Sequence, residues 1–314
     1  MSAPCTVVMY HYVRDTGKTD YPAIKALSVQ DFETQLDYLQ ANFDVLHFPD
    51  FEAAMQGKKT YEKPTALLTF DDGFIDHYET VFPIFKRRGI SGVFFLVDST
   101  LDETPFLVNV HKTHFLLAKL GAKAFDDVVK AELLGRKVTF DRSQREGIYR
   151  YDEKKDFDVK RLLNYDLPFE IADTILEDLF SRHIGDSVAF AKSLYLSRPQ
   201  IREMAASGMT FGPHTRSHRV LSRLTPNEQH KELEHGAGLI RELTGQTSVP
   251  LCYPYGHPHT YSKETPQILA ETGHSMAFNT VRAPVRFGVD APFALPRYDT
   301  KDLPPFVKQF SPDA

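Results

Sequence analysis

The segment Ala66-Leu-Leu-Thr-Phe-Asp-Asp-Gly73 constrains this chain more than any other. A short apolar run that ends in two adjacent carboxylates and a glycine reads as a buried parallel strand delivering polar groups at its C-terminal end. Side chains alternate along a strand, so Asp71 and Asp72 face different ways and suit different tasks. One can hold a metal while the other faces a reacting water. Gly73 permits a turn with positive φ that carries the backbone away from the carboxylates. Taken alone, Asp-Asp-Gly also suits an ordinary surface turn.

Strand and helix signals alternate around this segment. Residues 6–10 read as a strand ending at Tyr10-His11-Tyr12, and Ser28 caps a helix whose apolar positions Phe32, Leu36, Leu39 and Phe43 recur at helical spacing. Val45 to Phe48 is predicted as a strand and Asp50 to Gln56 as a short helix. After the strand Ala66–Phe70, a helix over Tyr78–Arg88 closes at Gly89, and Gly92–Val97 completes a βαβ unit. From about 100 to 197 the buried-strand signal gives way to helical periodicity (Phe115, Leu116, Leu120; Phe125, Val128, Val129, Leu133) and a charged run, Asp141 to Arg161, expected to face solvent. His111 and His114 have no convincing carboxylate or cysteine companion there and read as positions on a solvated helix. The alternation resumes after Pro199 with a helix Gln200–Ala206, a strand Met209–Gly212 and a long helix from Thr225 carrying Leu233, Ala237, Ile240 and Leu243. A strand Val249–Tyr253, a helix near Lys263–Glu271, a strand Ser275–Phe278 and a last strand Ala294–Tyr298 follow, giving some seven strand-helix units. At 314 residues, one barrel with an insertion and two separate domains both fit.

Composition narrows the functional classes. A hydrophobic fraction of 42% suits a globular core, and no stretch approaches the ~20 apolar residues that cross a bilayer, so no transmembrane segment is expected. The start, Met-Ser-Ala-Pro-Cys-Thr-Val-Val-Met-Tyr, carries no basic segment followed by an apolar signal core; a cytoplasmic location is expected. Cys5 and Cys252 are too few for a disulfide framework, match no zinc spacing, and read as small buried residues. A net charge of -5 without a basic patch argues against nucleic acid as a partner. The oligomeric state is open.

His214-Thr-Arg-Ser-His218 places two imidazoles four residues apart, where they can share one ion. Among thirteen histidines such a pair also arises by chance. Joined by Asp72, however, the pair makes a three-ligand set with an open position for water, which suits zinc or a similar divalent ion used in hydrolysis. His11 lies just past a strand end, where barrel enzymes keep catalytic groups, although a lone histidine there also fits a structural role.

Thr69-Phe70-Asp71-Asp72-Gly73, His214-Thr215-Arg216-Ser217-His218 and Tyr253-Pro254-Tyr255-Gly256 resemble, in kind and order, the motifs of the polysaccharide deacetylase family, carbohydrate esterase family 4. The resemblance spans most of the chain outside the insertion. It implies an α/β fold, a distorted (β/α) barrel forming a single domain over 1–314 and interrupted at about 100–197. It further implies Asp71 as general base, Asp72, His214 and His218 as ligands of one divalent ion (zinc, or else cobalt, nickel or manganese), and the backbone N–H of Tyr255 as an oxyanion donor. Three departures stand out. Cys252 replaces an arginine that many members carry two residues before the proline of the Pro-Tyr motif, no histidine after His274 supplies the usual late Leu-x-His acid, and the chain has no tryptophan for the Asp-Trp motif. Met9-Tyr10-His11 is similar to the start of a branch whose acid histidine comes from the first strand, which implies His11 as general acid. Arg297, in Leu295-Pro-Arg-Tyr-Asp299, is a candidate to orient Asp71 in place of the missing arginine, with a surface position as the plain alternative.

The activity expected from the resemblance is removal of an N-acyl group, chiefly acetyl, from an amino sugar, with a carbohydrate as partner. A nucleotide-linked or lipid-linked precursor is the expected form. Hydrolysis of a non-sugar amide or cyclic ureide on the same fold, and a carbohydrate-binding pseudoenzyme, are the alternatives. Acetate release measured against ring opening and against binding without turnover separates the three.

Overall fold

Parallel strands joined through helices form the frame of the computed structural model, which describes residues 2–138 and 159–310. Most of the charged run 141–161 lies outside the described residues. The described strands are β1 (Cys5–Tyr10), β2 (Asp44–Val45), β3 (Thr65–Phe70), β4 (Val93–Leu96), β5 (Thr210–Pro213), β6 (Pro250–Cys252), β7 (Met276–Phe278) and β8 (Tyr298–Asp299). Their ladders are all parallel, in the order β5-β4-β3-β1-β8, with β6 and β7 paired separately. β1 covers one edge of β3 along its length, from Cys5 opposite Thr65 to Tyr10 opposite Phe70. The other edge of β3 is therefore divided, with β2 against Thr65 and Ala66 and β4 against Thr69 and Phe70.

Two seams join the sheets. Gly212 of β5 lies so close to β6 that a Cβ there would stand 2.0 Å from the Pro250 carbonyl oxygen. On the other side Leu295, just before β8, bridges Phe278 of β7 in parallel. The architecture is a distorted (β/α) barrel whose hydrogen-bonded ladder does not run continuously around it.

Period-two alternation sets what each face carries. One face presents Val8, Tyr10, Ala66, Leu68, Phe70, Phe94, Leu96 and Phe211 to helix residues such as Phe32, Leu36, Phe85, Ile201 and Ile240. Phe70 stacks between Tyr10 and Phe94 at centroid distances of 5.0 and 4.8 Å, and each such burial stabilises the fold by roughly 1.5–3 kcal/mol. The other face collects Cys5, Val7, Leu67, Val93, Phe95, Cys252, Met276, Phe278 and Leu295 inside the barrel. Continued past the strand ends, this inner row brings His11, Asp71 and His214 to one mouth.

Helix boundaries follow local chemistry. The Ser28 hydroxyl accepts the Asp31 N–H and starts the helix Val29–Asn42, and Gly89, at φ 65°, stops the helix Phe82–Arg88. Three expected element boundaries need correction. Val45–Phe48 is not a strand throughout: only Asp44–Val45 pairs, and Phe48 opens the helix Phe48–Met55, with Pro49 in its first turn. The long helix from Thr225 is two helices, Pro226–Leu233 and Gly236–Thr244. The break lets Gly236 approach β5, where a Cβ would meet Pro213 at 2.6 Å. The last strand is Tyr298–Asp299 instead of Ala294–Tyr298, because Pro296 has no N–H to offer a ladder.

Contacts divide the chain into two compact units, one of Met1–Asp15, Ala26–Leu101 and Leu194–Ala314, the other of Thr16–Lys25 and Asp102–Ser193. The first contains the barrel. The second is helical, with helices Asn109–Leu120, Ala122–Gly135, Phe169–His183 and Ser187–Leu194 around an aromatic cluster of Tyr21, Phe115, Phe180 and Phe190. His111 is buried there, not solvated as expected, and so is the neighbouring Lys112, which pairs with Glu177 at 2.7 Å. Among the described residues, no helix is long and apolar enough to cross a membrane.

Candidate active site

Asp71 follows Phe70 on the inner row, and its backbone N–H donates to the Tyr10 carbonyl, which extends the β1–β3 register by one step. That register sets His11 beside it, with His11 Nε2 3.8 Å from Asp71 Oδ2. Asp71 is 2% exposed, whereas the His11 side chain is 44% exposed and open to a substrate. Arg297, for which the sequence left a surface position open, is 1% exposed and grips Asp71 with Nη1 and Nη2 at 2.8 Å each. Its remaining donors reach Thr69 Oγ1 at 3.1 Å and the Asn279 carbonyl at 2.9 Å. Nη2 also lies 2.9 Å from Cys252 Sγ, so this arginine, one residue before β8, packs beside Cys252. Burial alone would raise the pKa of Asp71. The charge and hydrogen bonds of Arg297, with His214 and His11 adding, outweigh burial and hold it down at about 2.

Asp72 turns away at φ 74°, a left-handed conformation, and Gly73 follows at φ 67°. A side chain at Gly73 would strike Leu96 at 2.8 Å as well as strain the backbone. Asp72 Oδ1 then faces His214 Nε2 at 3.7 Å and His218 Nε2 at 3.5 Å. These distances exceed a hydrogen bond, so the three atoms converge on a shared point more than they bond to one another. All three residues are buried, and their donor atoms lie within 4.8 Å of one another. His214 Nδ1 must carry its proton, because it donates to the Cys252 carbonyl at 2.7 Å, and this leaves the Nε2 lone pair aimed at the shared point. Burial lowers the pKa of His214 against the pull of Asp71 and Asp72, which keeps the ring neutral and able to ligate. His218 is held by a left-handed turn, φ 58°, in which its N–H donates to Thr215 Oγ1 at 3.1 Å.

A carboxylate with two neutral imidazoles fits a zinc-like divalent ion. A second set of donor atoms, Asp71, His214 and Cys252, also lies within 4.8 Å but is a poor alternative. Asp71 is engaged by Arg297, and burial raises the Cys252 thiol well above its usual pKa, so it stays protonated. Tyr255 is half-buried with φ 63°, its ring edge-on to His218 at 5.0 Å and its carbonyl accepting from Thr280 Oγ1 at 3.1 Å.

Sequence reading missed Asp76, His77, Asp98 and Asn279. Asp76 and His77 lie past the Asp72–Gly73 turn, where alternation no longer indicates a direction, and Asn279 contributes a carbonyl, which any residue could supply. Asp98 does follow a strand, β4, but lacked a partner in sequence. It is 1% exposed, beside the Thr215 and Arg216 carbonyls that accept the N–H groups of Asp98 and Ser99 at 3.0 Å.

Fold and site together define a (β/α)-barrel protein with a buried carboxylate–arginine pair and a His-His-Asp donor set at the C-terminal strand ends. The polysaccharide deacetylase profile matches residues 58–130 and 176–277, more than half of the chain. The chain belongs to the polysaccharide deacetylase family. YxkH of Bacillus subtilis (strain 168), named for the same family, is 21% identical over 280 residues, which is 88% of this chain and 65% of that relative. The chain thus spans just under two thirds of that relative's length. Among solved structures, the Streptococcus pyogenes deacetylase PplD in complex with acetate is similar with TM-score 0.58 and 16% identity, covering 95% of this chain and 93% of that one. IcaB from Ammonifex degensii matches with TM-score 0.56 and 20% identity, covering 95% and 92%. These structural likenesses concern the fold.

Proposed function

We propose that this chain is a metal-dependent deacetylase that removes the N-acetyl group from an amino sugar or an amino-sugar-containing glycan. The reading is carried by one observation: the buried Asp71–Arg297 pair and the Asp72, His214 and His218 donors open on the same barrel mouth. Acetate bound to the similar streptococcal deacetylase supports acetyl as the group removed. Asp72, His214 and His218 would hold one divalent cation, zinc foremost with cobalt, nickel or manganese as alternatives, which supplies Lewis acidity and lowers the pKa of water towards ~7.

Asp71 takes the proton of the attacking water as its oxygen bonds to the amide carbon. Arg297 keeps Asp71 ionised and fixes its orientation; a carboxylate this weakly basic accepts a proton only while attack is under way. The N–H of Tyr255 donates to the developing oxyanion, an interaction of roughly 3–4 kcal/mol in other enzymes. His11 then delivers a proton to the amine nitrogen as the C–N bond breaks and its electron pair moves to nitrogen.

Metal analysis combined with acetate release from N-acetylated polymer and from nucleotide-linked and lipid-linked precursors tests the reading. Asp71→Asn is expected to keep the metal and lose turnover by about 10²–10⁴-fold. Wild-type protein that loads metal yet releases no acetate from any of these substrates would refute it.

A further inference from the structure

The segment that carries Asp71 and Asp72 goes on to fasten, residue by residue, the loop that carries His11. β1 ends at Tyr10, so the His11 carbonyl has passed the last ladder bond. It accepts instead from the side chain of His77, with Nε2 at 3.0 Å. Tyr12 stacks on Phe74 at a centroid distance of 3.9 Å. Asp76 Oδ2 accepts the Val13 N–H at 3.1 Å and Arg14 Nε at 2.7 Å, and Oδ1 pairs with Arg14 Nη2 at 2.6 Å. Positions 11 to 14 are thus each held by Phe74, Asp76 or His77.

His77 is the informative member of this clasp. It is fully buried, edge-on to Phe70 and Phe74 at 5.4 and 5.9 Å and tilted against Phe94 at 5.6 Å, in surroundings that would suit a phenylalanine. Its Nδ1 is buried with no hydrogen-bond partner among the described residues, a penalty an apolar ring would not incur. A carbonyl only accepts, so Nε2 carries the proton, and burial lowers the pKa of the ring to about 4, which keeps it neutral. It opens a π-helical turn, His77–Val81, an irregularity frequent at functional sites.

We infer that His77 is a positioning residue for the general acid: its Nε2–H holds the His11 backbone so that the His11 imidazole stands over Asp71 and can protonate the departing amine. This rests on the assignment of His11 as acid in the proposed function. Amide cleavage needs that proton, whereas 4-nitrophenolate leaves without one, so the ratio of amide to 4-nitrophenyl acetate hydrolysis reads the role directly.

His77→Phe, with metal content unchanged, is expected to lower amide kcat by about 10–100-fold and ester kcat by less than about 3-fold, a partial loss of the roughly 10²–10⁴-fold that general acid catalysis contributes. His77→Gln, whose amide N–H can donate to the same carbonyl, should recover most of the amide rate. Hydrogen exchange of the amides of 11–14 should quicken in His77→Phe and not in His77→Gln. Equal losses on amide and ester, or a Gln variant no better than Phe, would overturn the inference. If His77→Phe does not fold, Asp76→Asn should shift the same ratio in the same direction, and an unchanged ratio there overturns the clasp. His11→Ala separates the two levels. If it lowers amide and ester rates alike, the acid assignment fails; if it splits them while the His77 variants do not, only this inference falls.

Discussion

Arg297 and Asp71 form the most tightly constrained pair of the site, and its energetics follow from burial. Removing one member of a buried pair leaves an uncompensated charge, so Arg297→Leu should cost about 3–5 kcal/mol in urea unfolding, and Asp71→Leu in the same chain should restore much of it. Asp98 gives an opposite pH signature. Burial raises its pKa from 3.8 to about 6, against the lowering effects of His235 and Arg216. The folded state therefore binds the proton more tightly than the unfolded one, and stability falls as pH rises from about 4 to about 6. Asp98→Asn should abolish that slope and stabilise the protein above pH 6 by an amount on the order of 3 kcal/mol, measured by denaturation across the pH series. The sequence pointed to Asp71, Asp72 and His214 because they follow strand runs, and to His218 by its spacing from His214. Asp98 ends one as well, but the carbonyls beside it come from a distant loop, and no local pattern encodes such proximity.

Strand register carries most of the functional geometry at the next scale. One parallel pairing, Tyr10 with Phe70, is enough to set His11 next to Asp71, and both strands were readable as apolar runs ending in polar residues. Short elements were harder to read: β2 pairs only Asp44 and Val45 before the helix Phe48–Met55 begins, and a strand of two residues is too short for period-two alternation to show. The seam between β5 and β6 is a sharp test. Gly212→Ala would push a methyl into the Pro250 carbonyl, so a loss of about 3 kcal/mol or more is expected, together with weaker metal binding, because His214 lies two residues on. Gly238→Ala, in the helix Gly236–Thr244 with nothing within 4 Å, should instead stabilise by about 0.5–1 kcal/mol in the same assay.

For the molecule as a whole, a cation bound only by the folded chain adds its binding free energy to stability. Loading at a hundredfold excess over Kd should raise stability by about 2.7 kcal/mol, visible as a reversible drop in Tm on chelation. Asp72→Ala should remove that dependence. The barrel was legible because strand and helix signals alternate on either side of the interruption, while the recruitment of Thr16–Lys25 into the helical unit left no trace in periodicity. Asp72, Thr215, His218 and Tyr255 all adopt left-handed backbone without being glycine, a conformation that holds up to roughly 1–3 kcal/mol of strain at each position. At Asp72 and His218 a glycine would relax the chain while removing a donor side chain. A lineage selected for stability alone, with no demand for turnover, would favour a hardier, inert barrel.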